Sequence, residues 1–280
     1  MQQNDFYAAV YHCLMISDPA MKVAGTRDLH RAYQQRQLIR AAEVVPAVRV
    51  EIPGRPLRPE LVHPKYVKRR KLGSEAGRFA LLHAVAHIEF NAINLALDAA
   101  YRFREMPEAY YADWLRVAVE EAYHFGLVCE RMRALGGEYG DLPAHNGLWE
   151  QALKTDDDVL VRMALVPRVL EARGLDVTPG MMERLREVGD HDSVAVLEII
   201  LRDEIGHVRI GSEWYRYCCA QRGQEPESTF RQLLRDVMKA PLRGPFYEEG
   251  RLLAGFSTQE LEQLRLLEAN WVAEISGVAD

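Results

Sequence analysis

The chain has 280 residues, 48% of them hydrophobic and 27% charged, with a formal net charge of -6. That length can bury one large or two small cores, and the acidic balance argues against wholesale nucleic-acid binding. No apolar run approaches the roughly 20 residues of a membrane span. The start of the chain has no basic stretch leading into an apolar core and cleavage site, so the expectation is a cytoplasmic protein with no membrane partner.

Residues 1–73 read as an N-terminal extension, with an amphipathic start from Phe6 to Ile16 and a helix around Thr26 to Ala42. Five prolines, Pro46, Pro53, Pro56, Pro59 and Pro64, then exclude a continuous helix. The cations Lys65, Lys68, Arg69, Arg70 and Lys71 follow, either as a solvated linker or as a contact for an anionic or RNA substrate. Residues 74–221 predict four long helices. The first is capped by Ser74 and runs to about Arg104; the second opens at Pro107 and stops at Gly136 and Gly137. The third starts near Thr155 with Asp156, Asp157 and Asp158 in its first turn and ends near Gly174, and the fourth spans about Asp192 to Gln221. A short helix from Met181 to Val188 precedes the fourth. The long connection between the second and third helices suits an all-α four-helix bundle with one crossover. Residues 222–280 form a C-terminal appendage, with helices over Glu227 to Lys239 and Thr258 to Ile275 around the loop PLRGPFYEEG. Cys13, Cys129, Cys218 and Cys219 lack metal-type spacing and read as buried free thiols.

Glu-x-x-His occurs three times, and the Glu60 to His63 match is discarded because it lies between Pro59 and Pro64. Glu121 with His124 and Glu204 with His207 lie within long helices, where an i, i+3 pair shares one face about 5 to 6 Å apart at Cβ. The apolar stripes decide which carboxylates point inward. Leu82, Ala86, Glu89, Ile93 form one, and Trp114, Val117, Glu121, His124, Val128 the next. The third helix gives Leu160, Ala164, Pro167, Glu171, and the fourth gives Leu197, Leu201, Glu204, His207, Gly211, Trp214. A carboxylate on each core stripe requires positive charge beside it. Two divalent cations held by Glu89, Glu121, His124, Glu171, Glu204 and His207 would leave the site neutral. The acidic neighbours Glu120 and Asp203 are candidates to orient the histidines through their far ring nitrogens. His83 and His87 point away from Glu89, and the expectation is that they pack on or hydrogen-bond to the N-terminal extension rather than ligate a metal.

The order Glu, Glu-x-x-His, Glu, (Asp/Glu)-Glu-x-x-His resembles the ferritin-like di-iron carboxylate superfamily. The segments GRFALLHAVAHIEFNAINLALD, EEAYHF, YGDLPAHNGLWE, LEARGLDVTP and DEIGHV are similar to a bacterial ferritin-like family of unknown function. Glu171-Ala172-Arg173 and its helix also resemble a segment of the tRNA hydroxylase that acts on isopentenyl-modified adenosine. The resemblance implies that the six named residues ligate two irons which react with O₂, with an electron donor and a small-molecule or tRNA nucleoside substrate. The ligand types equally suit manganese or a mixed Mn/Fe pair. The two extensions argue against a closed storage cage. The leading expectation is an oxidoreductase that hydroxylates or oxidises an organic substrate, with Arg243 and Arg251 as candidates to line its entrance. The competing expectations are an iron-handling protein without an organic substrate and a metal-free scaffold.

Overall fold

The computed structural model describes residues 4–40, 45–68, 70–238 and 243–276, with side chains described as far as residue 269. Ala41, Ala42, Arg69, Lys239, Pro241 and Leu242, each within a segment predicted above, lie outside the described residues. The regular structure of the described residues is helical, with two isolated bridges, Asp5 to Ile39 and Leu61 to Ala144, as their only β-type pairing.

In chain order the helices are α1 (Phe6–Leu14), α2 (Pro19–Gln34), α3 (Glu75–Arg102), α4 (Glu108–Ala134), α5 (Gly147–Lys154) and α6 (Val159–Leu165). A π-helical stretch, Val166–Glu171, leads without a break into α7 (Ala172–Glu187). Then come α8 (His191–Gln221), α9 (Pro226–Leu233) with a second π stretch (Leu234–Met238), α10 (Glu248–Leu253) and α11 (Thr258–Ser276). Packing divides the chain into two compact units. One holds Met1–Asp156 and Arg184–Val196, the other Asp157–Glu183 and Leu197–Asp280.

Local chemistry explains most helix starts. Asp5, Asp18 and Ser74 accept hydrogen bonds from Ala8 N (2.6 Å), Met21 N (2.8 Å) and Gly77 N (3.1 Å), satisfying donors that a helix leaves open. Asp158 does the same for Leu160 N at 2.7 Å. The second helix begins at Pro19, not near Thr26, because Asp18 caps it and proline tolerates the first position, where no N–H is needed. The connection after α4 is also not a plain loop, since Gly147–Lys154 forms α5 and buries Trp149. The third long helix does not stop at Gly174. It runs on through Pro179 to Glu187, absorbing the predicted short helix. Asp176 holds this run with two hydrogen bonds from Arg251 (2.9 and 2.7 Å) and one from Tyr247 N (2.9 Å), tertiary contacts that outweigh the local cost of glycine and proline.

In the first unit α3 is the central helix, with α1, α4 and α5 packed on it and α2 on α1 and α4. Contrary to the sequence expectation, α3 is long and apolar enough to cross a bilayer, but most of it is buried inside this unit, as a core helix must be. Lys22 locks α2 to it. Its fully buried ammonium donates to Leu14 O (2.7 Å) and to Asn94 Oδ1 of α3 (2.6 Å). In the second unit α9 packs on α6, and Asp158 pairs with Arg222 at 2.7 and 2.8 Å.

Candidate metal centre

The periodicity of α3 and α4 brings three of the predicted ligands together inside the first unit. Glu89 of α3 is 3% exposed, and Glu121 and His124 of α4 are fully buried. His124 Nδ1 lies 3.4 Å from Glu89 Oε2 and 3.4 Å from Glu121 Oε2. One donor atom from each of the three falls within 4.8 Å of the others, a spacing that a single ion with bonds of about 2 Å can span. Burial disfavours a charged imidazole here. Hydrogen bonding and charge from Glu121 and Glu89 outweigh that, and push His124 up to about 11. The direction of that shift follows from two carboxylates that favour positive charge at this point.

The second unit contains the other three. His207 of α8 is fully buried, with Nδ1 3.5 Å from Oε1 of Glu204, whose side chain is 13% exposed. Glu171, half-buried, ends the π stretch. Pro167 accounts for that stretch locally, because it lacks the N–H of an α-helical bond and its ring crowds the preceding turn. It also sits against α8, where the backbone of Gly211 approaches so closely that a Cβ there would lie 2.3 Å from both Pro167 Cβ and Cγ.

The sequence profile of the family described as "Protein of unknown function (DUF455)" matches residues 15–262. The chain belongs to this family. A Haemophilus influenzae relative, described as an uncharacterized protein, is 44% identical over 283 residues, covering 97% of this chain and 95% of the relative. No solved structure matches the chain.

The remaining candidates in this DUF455 chain are placed as follows. Asp203 accepts from Arg202 Nε (2.8 Å) and Nη2 (3.2 Å), and the charge of half-buried Glu120 bears on His30. The hydrogen bonds of His83 and His87 go to the connection after α4. His83 Nε2 accepts from Gly140 N at 3.0 Å, while His87 donates from Nε2 to His145 O (3.0 Å) and accepts at Nδ1 from Tyr139 OH (2.9 Å). Burial brings His87 down to about 4. The packing of both histidines against the N-terminal extension is as expected, since His87 lines a pocket with Pro53, Arg55, Pro56 and Pro59, and His83 a cavity with Tyr66, Lys68 and Arg70. Arg251 lines no entrance, being 1% exposed and paired with Asp176, while Arg243 is exposed and its carbonyl accepts from Arg173 at 2.6 Å. All four cysteines are buried and free. Sequence reasoning passed over Arg168, which lies within the π stretch and is 1% exposed. Its signal was a cation three residues before a predicted ligand.

Proposed function

We propose that the two half-sites, Glu89 with Glu121 and His124, and Glu171 with Glu204 and His207, close on one dinuclear metal centre within a ferritin-like four-helix bundle. The bundle helices are α3, α4, the run from α6 to α7, and α8. The observation that carries this reading is the first triad: two carboxylates and an imidazole, all buried, from two helices, with donor atoms within 4.8 Å. The repeat in the sequence supports the second half, since Glu89 precedes Glu121 by 32 residues and Glu171 precedes Glu204 by 33.

In this reading Glu89 and Glu121 supply charge that balances a divalent ion, and His124 gives up its proton to ligate as neutral imidazole. Glu120 and Asp203 orient the two histidines. Burial of the triad keeps bulk water away and strengthens every charge interaction inside. A pair of iron ions bound there supplies Lewis acidity and redox capacity toward O₂. The function we assign is an O₂-dependent oxidoreductase acting on an organic substrate. Exposed Lys68 and Arg70 border a cavity of about 230 Å³ with Tyr66 and His83, on the α3 face turned away from Glu89, a setting that suits the phosphate backbone of a tRNA rather than its reacting nucleoside.

Metal analysis of the protein purified from its own host, with anaerobic Fe(II) titration, tests the centre. Two ions per chain are expected, and Glu121→Ala should reduce the number bound. Wild-type protein that takes up no iron, manganese or cobalt would refute the reading. Aerobic exposure of the iron-loaded protein then separates the functions. Substrate oxidation coupled to O₂ uptake supports the oxidoreductase, whereas growth of ferric mineral without it assigns the protein to iron handling.

A further inference from the structure

The helical run that carries Glu171 is gripped at three points by the C-terminal part of its own unit. Upstream of Glu171, the Arg168 guanidinium sits 4.7 Å from the ring centre of Tyr215, 4.3 Å from Phe230 and 4.5 Å from Phe256. Its Nη2 donates to Oε1 of Glu260, which is itself 7% exposed. Downstream, Arg173 Nη1 donates to Arg243 O at 2.6 Å, and Asp176 holds Arg251 by two hydrogen bonds.

Glu260 is not free to drift. Its Oε2 accepts from Ser257 N at 2.8 Å while its own N–H donates to Ser257 Oγ at 3.0 Å, the reciprocal capping box that starts α11. Arg168 is therefore tied to a fixed point of α11 and enclosed by aromatic faces from α8, α9 and the turn before α11. An apolar side chain of equal size would fill that cage without the cost of burying a charge, and such replacements are often neutral or stabilising. A buried ion pair retained where apolar packing would serve is better explained by register than by stability.

Register matters at this point because of the π stretch. A π turn accommodates one residue more than an α turn, so a change of Val166–Glu171 between π and α geometry rotates the downstream helix by about 100° relative to the upstream one. Glu171 is the last residue of that stretch. Which way its carboxylate points depends on the stretch staying π-helical.

We infer that Arg168, held by Glu260 and the Tyr215, Phe230 and Phe256 rings, is a positioning residue that fixes the π register and so aims Glu171. The inference gives the C-terminal appendage a role in metal binding, and it rests on the metal reading above. Arg168 does not itself touch the ions.

Full-length wild type, Arg168→Met, Arg168→Lys and Glu260→Gln are compared by anaerobic Co²⁺ titration with visible absorption, by circular dichroism, and by hydrogen exchange over residues 166–172. Arg168→Met and Glu260→Gln should keep wild-type helicity, exchange faster in that segment but not in α3 or α4, and bind one Co²⁺ equivalent about tenfold more weakly with an altered spectrum. Arg168→Lys, which keeps the charge, should recover part of the affinity. Should Arg168→Met fail to fold, Glu260→Gln still decides, since it preserves shape. A folded variant with wild-type exchange, Co²⁺ affinity and spectrum overturns the inference. Wild-type protein that binds no Co²⁺ instead overturns the metal reading, and faster exchange in the variants would then show a clamp without a metal to serve.

Discussion

Gly211→Ala probes the close approach of α8 to the π stretch in the second unit. In the middle of a helix, alanine for glycine normally stabilises by about 0.5 to 1 kcal/mol. Here the added Cβ would lie 2.3 Å from Pro167 Cβ and Cγ, where ordinary contact begins near 3.4 Å. Either α8 or the π stretch must retreat by about 1 Å, and neither yields easily: Pro167 is a rigid ring, and its neighbour Arg168 is enclosed and ion-paired. Overpacking of this kind costs about 1 to 3 kcal/mol. With a 2.3 Å approach to a rigid ring the clash outweighs the propensity gain, leaving a net loss centred on about 1 kcal/mol and no more than about 2.5 kcal/mol, or roughly 2 to 4 °C in melting temperature at the central value. Gly126→Ala in α4 is the control, since nothing lies within 4 Å of the Cβ it would add, and it should melt slightly above wild type. Thermal melts followed by circular dichroism at fixed pH and without added metal compare the three proteins. If Gly211→Ala melts at or above wild type, as the control should, the π stretch is not wedged against α8 and the reasoning fails.

Ion uptake should release protons. His124, pushed up to about 11, is protonated at neutral pH, and an ion can take its place only by expelling that proton. Co²⁺ affinity should therefore rise about tenfold per pH unit for each proton released between roughly pH 6 and 9, and calorimetry in buffers of different ionisation enthalpy measures the release directly; no release would exclude His124 as a ligand. Titration should also be stepwise, the tighter equivalent being lost in Glu89→Ala and the weaker one in Glu204→Ala, and a single indistinguishable class of sites would contradict this. Lys22 gives a stability test remote from the metal. Burial lowers it to about 7 from an ordinary value of 10.5, so the unfolded chain holds more protons across that window and stability rises with pH above about 7. Relative to Lys22→Met, wild type should gain up to about 1.4 kcal/mol per pH unit over that range, measured by urea unfolding; parallel profiles would show that the amine does not titrate there.

Local rules made much of the fold legible. Ser74 predicts the start of α3 and its Oγ does accept from Gly77 N, and Gly136, which ends α4, takes a φ of 80° that glycine adopts without strain. The 3.6-residue stripe places Glu89, Glu121 and His124 on faces that the first unit buries. Two of the failures share one cause. Gly174 reads as a stop because glycine weakens a helix locally, but Asp176, two residues on, is bound by Arg251, 75 residues away. The π stretch escaped for the same reason: Pro167 signals a disturbance, while its form depends on Gly211 and on a cage assembled from Tyr215, Phe230, Phe256 and Glu260. No windowed pattern contains those partners.

The two Glu-x-x-His pairs look alike in sequence yet sit in different surroundings. Glu121 and His124 are themselves fully buried, so any change of charge on them meets the full cost of desolvation. Glu204 is partly open, Glu171 is half-buried, and the run that carries Glu171 departs from α-helical form and is held from outside by long side chains. Partial exposure makes it cheaper for a carboxylate to shift or to exchange a bond with water, and a π turn is a common place for a helix to adapt to a ligand. If the proposed centre forms, this difference favours continuous binding at the first triad and rearrangement of ligands at the second. On this argument O₂ and substrate should meet the centre from the Glu171 and Glu204 side, where a change of coordination costs least.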